Sequence, residues 1–211
     1  TTQDAHVATY IGGQFVYGFE RVGSYCGIIA PLAGISVQAG CFWMGDKNFY
    51  AYTGGSVQEL SSTVDDYVFK EINRSQRSKI CAVSNKQYNE IWWFYPSSEA
   101  TENDSYVVYN YKENTWFTGY MGRTCGTDLG AYKHPMFFCS ATCRPFMHEF
   151  GFDYGNLDAP WAESGPISLG NGDNIMIATG LIPDEATQGD VTATFKTRFH
   201  PNDTDRSYGP Y

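Results

Sequence analysis

The sequence predicts an all-β chain, β-propeller-like, with kelch-type aromatic blades of about 50 residues and one short inserted helix. Three observations carry that expectation. Aromatic residues fill 17% of the 211 positions, with 16 Tyr, 14 Phe and 5 Trp, and 22 Gly accompany them. Aromatics suit a pleated, half-buried surface, and Gly suits the tight turns between short strands. Short apolar-aromatic runs alternate with turn residues along the chain. A weak repeat links Cys41-Phe-Trp-Met-Gly to Ile91-Trp-Trp-Phe-Tyr, 50 positions on, and then to Phe146-Met-His-Glu-Phe-Gly-Phe, 55 further. The competing architecture is a twisted sandwich whose strands are aromatic for packing alone.

Taken in order, Gln14–Phe19, Cys41–Met44 and Asn48–Tyr52 read as strands, with Gly45-Asp46-Lys47 and Thr53-Gly54-Gly55 as turns. Ser62-Thr63-Val64-Asp65 then offers a Ser/Thr-x-x-Asp start, an acidic variant of the capping box. Val64, Tyr67, Val68 and Ile72 follow at helical spacing, so a helix is expected from Val64 to about Arg74, with Asp66, Lys70 and Glu71 off its apolar stripe. Ile80–Ser84 and Glu90–Tyr95 return to strand patterning, and Tyr106–Tyr120 reads as a hairpin around Lys112-Glu113-Asn114. Met136–Ser140, Pro145–Phe152, Ile175–Thr179 and the alternating Val191–Phe199 complete the strands, with Gly170-Asn171-Gly172 as a late turn. Trp43 and at least one of Trp92 and Trp93 belong in blade cores, because consecutive strand residues face opposite sides. No low-complexity linker divides the chain, so residues 1–211 are expected to form one domain, irregular after Gly155 and a fragment of a longer chain.

Composition narrows the function classes. A net charge of −9 disfavours general affinity for nucleic acid, because an acidic surface repels phosphate. It remains compatible with an acidic channel past which DNA slides. No apolar run reaches the roughly 18 residues of a membrane helix. The six cysteines, Cys26, Cys41, Cys81, Cys125, Cys139 and Cys143, are irregularly spaced and read as reduced, small packing residues.

Four constellations carry residues capable of chemistry. Cys139-x3-Cys143 with His134 and His148 is the one group with metal-ligand character, but its spacing matches no common zinc pattern. Asp46-Lys47-Asn48, Asn171-Gly-Asp-Asn174 and Asn202-Asp-Thr-Asp205 carry hard oxygens, yet Asn and Asp are also ordinary turn formers. Asp65-Asp66 would do acid–base work only in a dry pocket, and otherwise complements a helix N-terminus. Arg74, Arg77 and Lys79 form the basic cluster, suited to an acidic neighbour, to DNA phosphate or simply to a solvated helix end. His6, His134, His148 and His200 are scattered, and no nucleophile elbow or nucleotide-binding loop appears. A sialidase-type Ser-x-Asp-x-Gly-x-Thr-Trp box is also missing, with Glu113-Asn114-Thr115-Trp116 keeping only its last two residues.

Two stretches go beyond composition. One is Gly40-Cys-Phe-Trp-Met-Gly-Asp-Lys-Asn-Phe-Tyr-Ala-Tyr-Thr-Gly-Gly-Ser-Val-Gln-Glu-Leu60, continuing through the helix to Ile72-Asn-Arg-Ser-Gln76. The other is Asn89-Glu-Ile-Trp-Trp-Phe-Tyr-Pro96, followed by Glu102-Asn-Asp-Ser-Tyr-Val-Val-Tyr-Asn-Tyr-Lys-Glu-Asn-Thr-Trp116 and Gly122-Arg-Thr124. Together they resemble the nozzle, or packaged-DNA stabilisation (tail tubular), proteins of short-tailed bacteriophages. Leu181-Ile-Pro-Asp184 and the ending Lys196-Thr-Arg198 to Gly209-Pro-Tyr211 are similar to that group as well.

The resemblance implies a propeller set around a six-fold tail tube, which retains packaged DNA and forms part of the ejection conduit. It implies a structural virion protein rather than an enzyme, with no cofactor and no metal. Implied partners are copies of itself in a six-fold ring, tail adaptor and portal-side proteins, tip or needle proteins, and DNA passing without sequence-specific binding, with no membrane insertion. The residues expected at a subunit contact are Tyr67, Arg74 and Arg77. The alternatives are a generic protein-interaction propeller and a carbohydrate-binding or glycan-active one.

Overall fold

A computed structural model of the chain describes residues 1–151, 161–167, 174–182, 190–200 and 202–211. Contacts divide the chain into two compact units, Thr1–Phe152 and Asp153–Tyr211, where one domain was expected from the sequence.

The all-β expectation holds. The first unit opens with a hairpin of β1 (Ala5–Tyr10) and β2 (Tyr17–Gly23). A four-stranded antiparallel meander follows, formed by β3 (Gly34–Val37), β4 (Gly40–Met44), β5 (Phe49–Tyr52) and β6 (Val57–Leu60). Helix α1 (Asp65–Glu71) and a 3-10 turn (Arg74–Lys79) then lead into a second meander of β7 (Cys81–Asn85), β8 (Glu90–Tyr95), β9 (Ser105–Asn110) and β10 (Thr115–Tyr120). A third sheet has β11 (Cys125–Thr127), β12 (Met136–Cys139) and β13 (Arg144–Met147). The sheets are open, and among the described residues none closes into a barrel or a propeller ring.

Side-chain alternation makes the second meander a wall shared by two cores. Trp93 is fully buried on one face, 4.9 Å from the Phe49 ring and stacked on Trp116, and its indole N–H donates to the Ala33 carbonyl at 3.0 Å. With Met44, Ile80, Ile91 and Val107 these residues form the core between the first two meanders. Trp92 points the other way and joins Val83, Phe94, Val108 and Phe137 in a second core against the third sheet. Trp43 is buried too, its indole donating to the Cys26 carbonyl at 2.8 Å. The first strands of successive sheets lie side by side: β3 contacts β7, and β7 contacts β11. A parallel bridge from Leu32 to Cys81 ties the first pair, with the Ala82 N–H donating to the Leu32 carbonyl at 2.8 Å.

The β9–β10 hairpin forms as its pattern predicts. The Asn110 side chain accepts from the Lys112 and Glu113 N–H groups, and Asn114 takes a left-handed φ of 53°, which Asn tolerates better than most residues. Other expectations need correction. Ile175–Thr179 is not a strand: Ile175 and Ile177 are exposed, and among the described residues no strand pairs with them. Only Phe195–Thr197 of the Val191–Phe199 run is strand, β14, and its length is set by its partner β15 (Arg206–Tyr208). This second unit also carries an ion pair between Lys196 and Glu163 at 2.7 Å. Phe152, the boundary at Gly155, the Gly170-Asn171-Gly172 turn with Asp173, and Pro183-Asp184 lie outside the described residues.

Candidate functional site

Tyr67, Arg74 and Arg77 lie on α1 and the 3-10 turn that follows it. The helix begins differently from the expected capping box. The Ser62 hydroxyl accepts from the Val64 N–H at 3.1 Å, two residues on, and the N-cap position itself carries no side-chain bond. Val68 and Ile72 are buried in the first core with Phe69 packed beside them, while Tyr67 is exposed. The apolar stripe therefore runs through Phe69, and Tyr67 belongs to the outer side. Its hydroxyl shares a 2.8 Å hydrogen bond with the Tyr120 hydroxyl at the end of β10, which together with burial raises the phenol's pKa.

The helix ends at Glu71, short of the expected Arg74. Ile72 turns extended and bridges Ser97, and the Asn73 N–H donates to the Pro96 carbonyl at 2.9 Å. Asn73 then caps the new 3-10 turn by accepting from the Ser75 N–H at 3.1 Å. Strand-like pairing with the β8–β9 connection thus outcompetes another helical turn.

This break separates the three cations. Arg74 grips the β4–β5 turn, pairing with the Asp46 carboxylate and donating to its carbonyl at 3.0 Å. Lys79 pairs with Glu102 at 2.6 Å. Arg77 is exposed; its carbonyl accepts from the Ile80 N–H at 3.1 Å, and its side chain makes no hydrogen bond or ion pair among the described residues. Between the β4–β5 turn and α1 lies a cleft of about 470 Å³, lined by Lys47, Asn48, Asp65, Phe69, Lys70 and Arg74. Burial raises the Asp65 carboxyl's pKa, and one of its oxygens is buried without a hydrogen-bond partner. Asp66 is exposed beside Lys70 at 3.6 Å. Alternating charges of this kind suit a mixed-charge protein surface better than a single-sign polyanion.

The Cys139 region is organised around Arg123. The Arg123 Nε–H donates to His148 Nε2 at 3.1 Å, and its guanidinium lies 4.3 Å from the centre of the Phe146 ring. Burial lowers the His148 pKa to about 4, with Arg123 adding to the shift. Burial opposes the Cys139 thiolate, but hydrogen bonds from Thr142 and Ala141 and the charge of Arg123 outweigh it and lower that pKa. Cys143 donates to the Ser140 carbonyl at 3.3 Å, and His134 packs on Phe150. Among the described residues no three His, Cys, Asp or Glu side chains converge as a metal-holding group.

Sequence reasoning missed a polar group at the β7–β8 end. The buried Asn85 amide donates to Glu149 at 3.1 Å and more weakly to Glu90 at 3.4 Å. Trp92 donates to Glu90 at 2.9 Å, and burial raises that carboxyl's pKa. Asp128 accepts from the Ser84 hydroxyl at 2.6 Å and from the Lys86 N–H. Asn85 and Glu149 stand 64 positions apart, so no local pattern announces their meeting.

No family model matches the chain, and no curated protein is similar to it.

Proposed function

We propose that this chain is a structural, non-enzymatic subunit of a phage tail nozzle, a virion component built of β-propeller-like blades. The observation that carries this reading is the order of the sheets. Two successive four-stranded meanders pack face to face with β3, β7 and β11 as neighbouring first strands. Propellers arrange their blades in this way, first strands innermost around an axis. The position of α1 between β6 and β7 adds support, because a helix inserted between blades is the least generic part of the resemblance. In this reading copies form a six-fold ring that meets adaptor or portal-side proteins on one side and tip or needle proteins on the other. The ring closes the channel, retains packaged DNA, and passes it through an acidic conduit without sequence-specific contact, cofactor or membrane insertion. Arg77 and the outer side of α1, with Tyr67, contribute to subunit docking; Arg74 contributes by holding the β4–β5 turn.

Negative-stain electron microscopy of the purified protein tests the assignment. Six-fold rings, or six-fold density at the tail tip of a virion, are the expected result. A monomer that binds glycans would overturn it in favour of a carbohydrate-recognising propeller.

A further inference from the structure

The β1–β2 hairpin carries a concentration of uncovered apolar surface. From Val7 to Phe19 the chain contains no charged residue and no histidine, and charge resumes at Glu20 and Arg21. Tyr10, Ile11, Phe15, Val16, Tyr17 and Phe19 are 52 to 76% exposed. The strand register puts Tyr10, Tyr17 and Phe19 on one face, and Ile11 and Val16 are left for the other, so both faces of the tip are bare. Buried aromatics each cover about 150–250 Å². The four aromatics with Ile11 and Val16 therefore expose on the order of 600 Å² or more, approaching the ~800 Å² per partner of a standard interface.

The base of the hairpin is fixed: Ile28 donates to the Thr1 carbonyl at 3.0 Å, and Arg21 pairs with Asp4 at 3.7 Å. Beside that base lies a cavity of about 360 Å³, whose floor is Gly34, Ser36, Cys41 and Trp43 on one face of β3–β4, with Cys26 and Ile28 at its wall. The hairpin's own tip cannot enter this slot. Asp4 and His6 line the slot, and Tyr10 stands roughly 14 Å further along a paired strand.

We propose that the hairpin is a docking arm whose tip seats in this slot of a second copy of the chain. Two observations favour a copy over a lipid surface. The outer edges of a two-stranded arm carry unpaired backbone N–H and C=O groups, which lipid cannot satisfy and another sheet edge can. A chain of net charge −9 is repelled by anionic lipid, and it approaches its copy best through surfaces of little charge: the arm tip has none, nor has the slot floor, and Asp4 at the slot is paired with Arg21. Arm into slot is a head-to-tail contact, the type that closes rings. The contact depends on the nozzle reading only for ring closure.

Sedimentation velocity across a concentration series is the test. The variants are Phe15→Asp with Phe19→Asp in the arm and Ser36→Arg in the slot, all at exposed positions, with circular dichroism confirming the fold. The wild-type chain should self-associate, and each variant should weaken that by about tenfold or more. Mixing the two variants equally should restore one arm–slot contact and give a heterodimer that grows no further. Oligomers indifferent to both variants would remove the arm and leave the ring. Wild-type monomers throughout would remove both. Binding of the wild type to phosphatidylcholine vesicles, lost in the arm variant without any change in self-association, would assign the arm to lipid and overturn the proposal.

Discussion

Replacing Trp93 with Ala probes the core between the first two meanders most directly. The side chain is fully buried, its ring lies against Phe49 and Trp116, and its N–H is a second donor to the Ala33 carbonyl. Truncation of a buried Trp costs about 3–5 kcal/mol through lost transfer and cavity terms. The Ala33 carbonyl keeps the Met44 N–H at 3.0 Å as a donor, so losing the indole hydrogen bond adds only about 1 kcal/mol. The expected loss is therefore about 4 kcal/mol or more, a large share of the 5–15 kcal/mol available to an ordinary domain. Urea unfolding followed by tryptophan fluorescence and by far-ultraviolet circular dichroism measures it, with coincident transitions checking two-state behaviour. Trp93→Phe should recover part of the loss, because it refills volume but not the hydrogen bond. Trp93→Ala and Phe49→Ala together should cost less than their sum, since both empty the same space. A loss below about 1 kcal/mol for Trp93→Ala would refute the packed interface between the meanders.

Four further outcomes follow from other parts of the structure. Arg77→Glu should leave stability within about 0.5 kcal/mol, whereas Arg74→Glu should cost more because it sets a carboxylate against Asp46, a difference that chemical denaturation resolves. If these residues serve docking, phage carrying Arg77→Glu should lose DNA-filled infectious particles; normal titres would end that idea. The His148 pKa lies below its unfolded value of about 6.5, so the unfolded state takes up the proton first as pH falls. Stability should be full above pH 6.5 and decline towards pH 4, a slope that His148→Gln removes; a slope unchanged in that variant would refute the assignment. Glu90 has the opposite sign: its raised pKa penalises the ionised folded form, so the penalty fades as pH falls through the carboxylate range. Glu90→Gln should raise the melting temperature at neutral pH, with a gain that shrinks as the solution is acidified.

Legibility from sequence followed the reach of each interaction. The β9–β10 hairpin was readable because its signal is local: two aromatic strands and an Asn that caps its own turn. Opposite facing of Trp92 and Trp93 was readable because strand alternation is geometric. Strands β3, β6 and β11 escaped notice because Gly34-Ile-Ser-Val37, Val57-Gln-Glu-Leu60 and Cys125-Gly-Thr127 are short and chemically mixed, and their pairing comes from neighbours already in place. The helix ran short because Ile72 and Asn73 bond to Ser97 and Pro96, distant in sequence and invisible to a periodicity. Tyr67 was placed on the inner stripe because it shares helical spacing with Val68 and Ile72, yet Phe69 holds that side and Tyr67 finds Tyr120 instead. Arg74 and Arg77 look equivalent as letters; Asp46 makes one a structural tie and leaves the other free for solvent.

The back-to-back indoles of Trp92 and Trp93 have a mechanical consequence. A force that peels the third sheet from β7–β10 first uncovers Trp92 and Phe94, while Phe49 and Trp93 remain clamped on the far side. A force on the first meander uncovers the other indole instead. The middle sheet should then yield last under either load, and a force-extension trace should show two unequal ruptures rather than one. Each rupture would expose its own tryptophan to solvent and to a fluorescence quencher, so the order of failure can be read from which indole, 92 or 93, dims first in single-tryptophan variants.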